Sequence, residues 1–334
     1  MTYKIVGKEI NDIGYGLMSL NLPRENPISV DEKIAMIKAA LDAGANFLNG
    51  GEFYGPSLQD NSLTLLRQYF EKYPGDADKV IIGIKGGLRL SPMAVDNSPE
   101  YTRESIENCL RLIGDRGKID MWEMGRRTTQ DEYILSLRVI ESYVKKGKIG
   151  GVTLSEVNAN TIHQAAKVVK VVGVETELSL FHTDPLHNGI CAACAELGIS
   201  IFAYSPLGRG FLTGKVQKPE DLYSFFRQLP RFQAENFNAN LRLVEKVKQW
   251  AAKKGCTPAQ YWPSLIGPVC PRSLPIPGTA SLERIRENIH EFKLTDEDMD
   301  EVDSFLEEFK VSGDRTYAAQ AQWLDSNDTT EVAV

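Results

Sequence analysis

A phenol and an ammonium held side by side form a proton-transfer device, and this chain offers one of each at matching positions. Tyr54 stands in Asn49-Gly50-Gly51-Glu52-Phe53-Tyr54-Gly55, and Lys85 opens Lys85-Gly86-Gly87, each at or just after the end of a short apolar run. Free tyrosine and lysine titrate near about 10 and about 10.4, and a cation beside the phenol lowers its pKa and makes it a better acid near neutrality. Tyr54 is therefore a candidate general acid, with Lys85 tuning it. Each also has a plainer reading, a rim salt bridge for Lys85 and a packed ring with a satisfied hydroxyl for Tyr54, and placement alone leaves the two readings level. Glu52 is a second candidate acid whose plainer reading is an exposed loop carboxylate.

For these side chains to meet, the runs before them must lie in one sheet. Eight apolar runs read as strands, at 13–18, 45–49, 80–85, 119–124, 149–154, 171–178, 199–204 and 273–276. Several lack clean alternation, as strands buried on both faces do. Helical patterns lie between them at 30–43, 62–73, 99–113, 131–146, 159–169 and 186–197, several ended by a glycine such as Gly44 or Gly198. This alternation, uninterrupted by a linker, predicts an α/β fold: a single (β/α)8 TIM barrel over residues 1–312, with a polar tail at 313–334 that is either partly disordered or folded over the barrel mouth. The irregular stretch at 205–238 is long enough to be a functional loop. Barrel active sites form at the carboxyl ends of the strands, where Tyr54, Lys85 and Glu123-Met124-Gly125-Arg126-Arg127 all fall.

Composition narrows the function classes. With 42% apolar and 25% charged residues the chain has the make-up of a globular protein with a sizeable core. A net charge of −7 opposes a phosphate-neutralising surface, so nucleic acid is not expected as a partner. No apolar run approaches the roughly 20 residues that cross a bilayer. Residues 1–11 are polar and charged rather than a signal segment, and a cytoplasmic location is expected. The five cysteines show no paired spacing, which predicts thiols rather than disulfides. Cys191-x-x-Cys194 lacks a second ligand pair at matching spacing, so no metal is expected. Gly14-Tyr15-Gly16 lacks the third glycine and the spaced acid of a dinucleotide fingerprint.

Four motifs in order carry a resemblance. Tyr54-Gly55 is similar to the end of a D-T-A-x-x-Y-G motif, and Lys85 matches a strand-end lysine. Ala203-Tyr204-Ser205-Pro206-Leu207-Gly208-Arg209-Gly210-Phe211-Leu212-Thr213-Gly214-Lys215 is similar to A-Y-S-P-L-G-x-G-x-L-T-G-K, and Pro277-Gly278-Thr279 precedes Arg284 and Glu287-Asn288. Together they resemble the aldo-keto reductase family over about residues 13–307. The resemblance implies reduction of a small-molecule aldehyde or ketone by hydride from NADPH, with no protein partner required. Tyr54 would protonate the carbonyl oxygen, with Lys85 and Asn49 as the other catalytic positions. Tyr204 would stack on the nicotinamide, with Ser155 and Glu156 near its carboxamide and Glu175 where most relatives carry Gln. Ser205, Leu207, Arg209, Gly210, Phe211 and Leu212 would cover the pyrophosphate. Gly278, Thr279, Ser281, Arg284, Glu287 and Asn288 would hold the adenosine end, Arg284 being suited to a 2′-phosphate because a guanidinium binds phosphate in bidentate fashion.

Two positions depart from the family's Asp, Tyr, Lys and His: Asn49 stands for the Asp and Gly125 for the His. Asn49 is expected to hydrogen-bond Lys85 but carries no charge, so Lys85 should hold less counter-charge and bias Tyr54 toward ionisation. Gly125 is expected to leave space in a substrate pocket lined also by Glu52 and Trp122. Asn-x-Gly-Glu-Phe-Tyr-Gly, Glu-Thr-Glu before Leu-Ser-Leu-Phe and the missing histidine resemble the fungal pyridoxal reductase subgroup, which implies reduction of pyridoxal to pyridoxine. The alternatives are a general aldehyde or ketone reductase and an NADPH-binding regulatory subunit with weak catalysis. Separately, Pro263 predicts a broken or shortened helix around 261–268, since proline inside a helix costs about 3 kcal/mol.

Overall fold

The computed structural model describes residues 3–23, 26–270, 272–290, 292–317, 321 and 323–327. At the centre of the protein stand eight parallel strands: β1 Tyr15–Gly16, β2 Phe47–Gly51, β3 Ile81–Gly86, β4 Ile119–Met124, β5 Ile149–Ser155, β6 Val171–Glu177, β7 Ser200–Tyr204 and β8 Ser273–Pro275. Each pairs with the next in the series. Hydrogen bonds from Gly14 N to Pro275 O (2.9 Å) and Gly16 N to Pro277 O (3.1 Å) join the first strand to the last and close the barrel. All eight expected strands are present, each end within two residues of its expected place.

Strand alternation divides the core in two. Phe47, Ile81, Met121, Phe202 and Leu274 pack with Ile5 and Ile10 of an N-terminal hairpin, Tyr3–Ile5 with Lys8–Ile10. The rings of Phe47 and Phe202 lie 4.6 Å apart although β2 and β7 are not neighbours, so this cluster fills the barrel interior. The intervening residues, among them Leu48, Ile82, Ile84 and Trp122, face the helices. Continuing the inward rows in steps of two toward the carboxyl ends brings Asn49 after Phe47, Lys85 after Ile81, Glu123 after Met121 and Tyr204 after Phe202. The apolar interior thus ends in a polar layer.

The surrounding helices are α1 Val30–Asp42, α2 Ser62–Lys72, α3 Pro99–Leu112, α4 Gln130–Lys145, α5 Ala159–Ala166, α6 Ile190–Leu197, α7 Ala234–Lys254, α8 Pro258–Tyr261, α9 Pro263–Val269, α10 Leu282–Asn288 and α11 Asp296–Glu308. Their starts follow local chemistry. Ser29 and Glu32 form a reciprocal capping box on α1, Ser98 caps α3 with proline at its first position, and Asn158 caps α5; loss of such a cap costs about 1 kcal/mol. The expected break at Pro263 is present, α8 ending at Tyr261 and α9 starting on the proline. α6 starts later than expected, at Ile190, because Asp184–Leu186 forms a separate turn. A second hairpin, Leu88–Leu90 with Met93–Val95, follows β3 and has no counterpart in the sequence pattern.

One expectation fails in the helical layer. Cys191 of α6 is disulfide-bonded to Cys270, 79 residues away at the end of α9, while Cys109, Cys194 and Cys256 are free. Spacing along the chain cannot report that these two helix ends meet. Of the tail, residues 313–317, 321 and 323–327 are described, and the expectations for 318–320, 322 and 328–334 lie outside the described residues. Among the described residues no helix is long and apolar enough to cross a membrane.

Candidate active site

A cavity of about 760 Å³ opens at the carboxyl ends of the strands. Tyr54 and Lys85 meet at its inner end, the ammonium 3.5 Å from the phenol oxygen. Local backbone explains how the ring arrives there. The chain turns back after β2, with Tyr54 N donating to Gly51 O at 3.2 Å, and a Cβ on Gly51 would stand 2.9 Å from the Tyr54 ring. Only glycine lets the ring fold over the end of its own strand. On the next strand Lys85 is in register with Gly51 on one side and Glu123 on the other.

The charge balance around Lys85 differs from the sequence expectation. Its ammonium lies 2.5 Å from Glu175 and 2.9 Å from Glu123, and all three side chains are buried. Asn49 does not hydrogen-bond Lys85; its amide donates to Glu175 Oε2 at 2.7 Å. The counter-charge is therefore relocated, not lost. Burial works against the ammonium, but Glu123 and Glu175 outweigh it and hold Lys85 well above its usual value. Burial, reinforced by its neighbour Glu175, pushes Glu123 up to about 8. The Tyr54 phenol is likewise raised by burial, Lys85 pulling it down and Glu175 pushing it up. The expected drift toward ionisation is overturned: desolvation, with the carboxylates, exceeds the pull of Lys85 and Arg126.

The three residues expected in the substrate pocket are placed elsewhere. Trp122 is fully buried among the outward-facing side chains because it is one residue out of phase with Met121 and Glu123. Glu52 is only 1% exposed and accepts hydrogen bonds from Ser105 and Asn108 of α3, on the far side of the turn from the cavity. It is not an exposed loop carboxylate either; burial raises its pKa against those two bonds. Gly125 leaves no void. A Cβ there would meet Leu88 Cδ1 at 2.3 Å and Phe53 at 3.3 Å, and both of those side chains line the cavity.

The expected cofactor residues fall into two groups. Glu175, Tyr204, Ser205, Leu207, Arg209 and Gly210 line the cavity, and so do Gly278, Thr279, Arg284, Glu287 and Asn288; the others do not. Ser205 and Arg209 are non-glycine residues in the left-handed region, at φ 50° and 59°, a conformation that functional loops retain at a cost. The side chains of Phe211 and Leu212 turn into the core, where Phe211 packs on Phe181, Phe232 and Phe237. Ser281 caps α10 by accepting from Arg284 N. Ser155 is buried and accepts from Arg126 at 3.2 Å. Glu156 is fully engaged: Arg315 grips it at 2.6 and 3.2 Å, Ser326 donates to it, and so does Glu177 N at 2.9 Å.

Several groups at the site have no role assigned from the sequence. Glu123 and Glu177 were detectable as carboxylates on inward rows of otherwise apolar strands. Arg126 follows the fourth strand and lines the cavity. Arg315 comes from the tail, and together with Arg231 and Arg209 it surrounds Glu177 at 3.4, 3.3 and 3.6 Å. No local pattern announces a contact of that range. Trp323 and Leu324 of the tail also line the cavity.

A sequence profile of the Aldo/keto reductase family matches residues 12–307. "Probable pyridoxal reductase 2" of Schizosaccharomyces pombe is 33% identical over 321 residues, covering 92% of this chain and 95% of that protein. "Putative pyridoxal reductase" of Saccharomyces cerevisiae is 34% identical over 333 residues, covering 91% and 95%. A solved glycerol dehydrogenase of Gluconobacter oxydans superposes with a TM-score of 0.80 over 95% of this chain and 98% of its own, at 21% identity, which speaks to the barrel alone. A barrel with a tyrosine and a lysine meeting at its carboxyl end, matched by the family profile over nearly its whole length, belongs to the aldo/keto reductase family of oxidoreductases.

Proposed function

We propose that the protein is a cytoplasmic NADPH-dependent reductase of pyridoxal, with Tyr54 as the general acid. The observation that carries the reading is the contact between the Tyr54 phenol and the Lys85 ammonium inside the cavity. The raised pKa keeps the phenol protonated at neutral pH, which is the state an acid must occupy. As Tyr54 gives its proton to the carbonyl oxygen, Lys85 stabilises the phenolate left behind; Glu123 and Glu175 hold Lys85 in place, and Asn49 acts through Glu175.

The residues present fit the cofactor. Arg284, which lines the cavity, has no carboxylate within salt-bridge distance among the described residues, as a side chain reserved for a 2′-phosphate should. Tyr204 and the loop from Ser205 to Gly210 would hold the nicotinamide and pyrophosphate portions. When bound, NADPH supplies hydride to the carbonyl carbon. We assign residues 1–312 to the barrel domain; of the tail that follows, Arg315, Tyr317, Trp323 and Leu324 line the cavity. Pyridoxal as the substrate is supported by the names of the two fungal relatives.

The test is NADPH oxidation with pyridoxal set against simple aliphatic and aromatic aldehydes. Pyridoxal should give the highest kcat/KM, and Tyr54→Phe should remove most turnover, of the order of 10²-fold or more, while NADPH binding is kept. Better turnover of simple aldehydes would make the protein a general reductase. Turnover of none would make it a cofactor-binding subunit.

A further inference from the structure

The cations at the cavity can be sorted by what they pair with. Lys85 has Glu123 and Glu175; Arg209, Arg231 and Arg315 share Glu156 and Glu177; Lys215 has Glu287 at 3.4 Å. Arg126, like Arg284, has no such partner. Its Nη1 donates to Gly125 O at 2.5 Å and to Ser155 Oγ at 3.2 Å, two neutral acceptors that fix the guanidinium in place. Among the described residues no carboxylate lies within salt-bridge distance of it. It lines the same cavity as Tyr54, Lys85 and Tyr204. A guanidinium oriented by neutral acceptors in the cavity of the general acid, with Glu156 and Glu175 acting on it only at longer range, is suited to receive an oxyanion.

We propose that Arg126 is a specificity-determining residue that binds an ionised hydroxyl adjacent to the substrate's carbonyl. This rests on the reading of the site as an aldehyde reductase and identifies the substrate class as aryl aldehydes with an ortho hydroxyl, the arrangement pyridoxal carries around its ring. With the carbonyl oxygen on Tyr54, the neighbouring phenolate falls to Arg126, while Phe53 and Leu88, which fill the space at Gly125, flank the ring. One charge-assisted contact made to the correct substrate and lost with its isostere is a strong discriminator.

The experiment compares 2-hydroxybenzaldehyde, 2-methoxybenzaldehyde, benzaldehyde and pyridoxal with NADPH, using the full chain and its Arg126→Gln and Arg126→Lys variants. The unaltered protein should favour the hydroxyl over the methoxy compound by about tenfold or more in kcat/KM. Arg126→Gln should collapse that preference with little change for benzaldehyde, and Arg126→Lys should keep part of it. Binding of the same aldehydes to the protein loaded with NADP⁺, where no hydride is available, should show the same preference, so a chain without turnover still gives an answer. The proposal is overturned if Arg126→Gln lowers all aldehydes equally, if the preference survives in that variant, or if the loss is traced to weaker NADPH binding. Poor reduction of pyridoxal with an intact, Arg126-dependent preference for the ortho hydroxyl would instead overturn pyridoxal as the substrate and leave Arg126 its role.

Discussion

At the scale of single residues the site is an exercise in charge placement. One buried ammonium is matched mainly by the buried Glu175, to which a neutral amide, Asn49, donates, while its second neighbour Glu123 is held up to about 8 and is mostly protonated at neutral pH. Asn49→Asp would put a third carboxylate against Glu175 and turn a 2.7 Å hydrogen bond into a like-charge contact. It should lower both kcat and Tm. Glu175→Gln removes a charge that raises the Tyr54 pKa, so the phenol should ionise at lower pH. Activity needs the protonated phenol, and the falling limb of kcat/KM on the alkaline side should therefore move to lower pH. Asn49→Asp with Glu175→Gln reverses the hydrogen bond, the new amide donating to the new carboxylate, and keeps the total charge. A double-mutant cycle should show strong coupling, with the double variant closer to the parent than either single one. Additive losses and an unmoved pH limb would refute the relocation of counter-charge.

At the scale of elements, the hairpin after β3 decides what Gly125 does. Leu88 Cδ1 occupies the place a Cβ would take, and Gly86 O stands 3.1 Å from that point, so the end of β4 is packed and not vacant. Gly125→Ala should cost about 1–3 kcal/mol by overpacking and should depress turnover of all aldehydes alike. Adding Leu88→Ala should restore much of the stability, read by thermal unfolding, because it frees the clashing methyl. If Gly125→Ala alone is neutral, the hairpin gives way more easily than its packing implies. The backbone of Gly125 is not in the left-handed region, so relief of strain does not enter.

Across the whole molecule, the tail completes an ion cluster that barrel strands leave unbalanced. Burial alone would raise Glu156, yet Arg315 holds it far below the usual carboxylate range, and both are buried. Breaking such a pair from one side costs about 3–5 kcal/mol, because the remaining charge has lost its partner. Arg315→Ala should lower stability by that order at neutral pH. A carboxylate whose folded pKa is depressed contributes stability that is present above its unfolded pKa, about 4.3, and is lost as pH falls through the folded value. The gap between Arg315→Ala and the parent should accordingly narrow below about pH 4. A gap independent of pH would mean that Arg315 acts through packing alone.

The sequence by itself determined the order of eight strands, their burial, the break at Pro263 and the positions of Tyr54 and Lys85 at strand ends. These follow from periodicity, proline chemistry and the rule that barrel sites form at one end, all of which act over a few residues. It also contained a strong likeness in Tyr204 to Lys215 and around Arg284. Only the tertiary structure decided which groups neutralise Lys85, since Glu175 lies 90 residues away; a strand pattern shows that a carboxylate points inward but not which cation it meets across the barrel. The same reason explains why Cys191 finds Cys270, why Leu88 fills the space at Gly125, why Glu52 belongs to α3 and not to the cavity, and why Arg315 reaches Glu156. Each is a contact through space fixed by strand register and helix packing, and such contacts leave no mark on neighbouring residues in the chain.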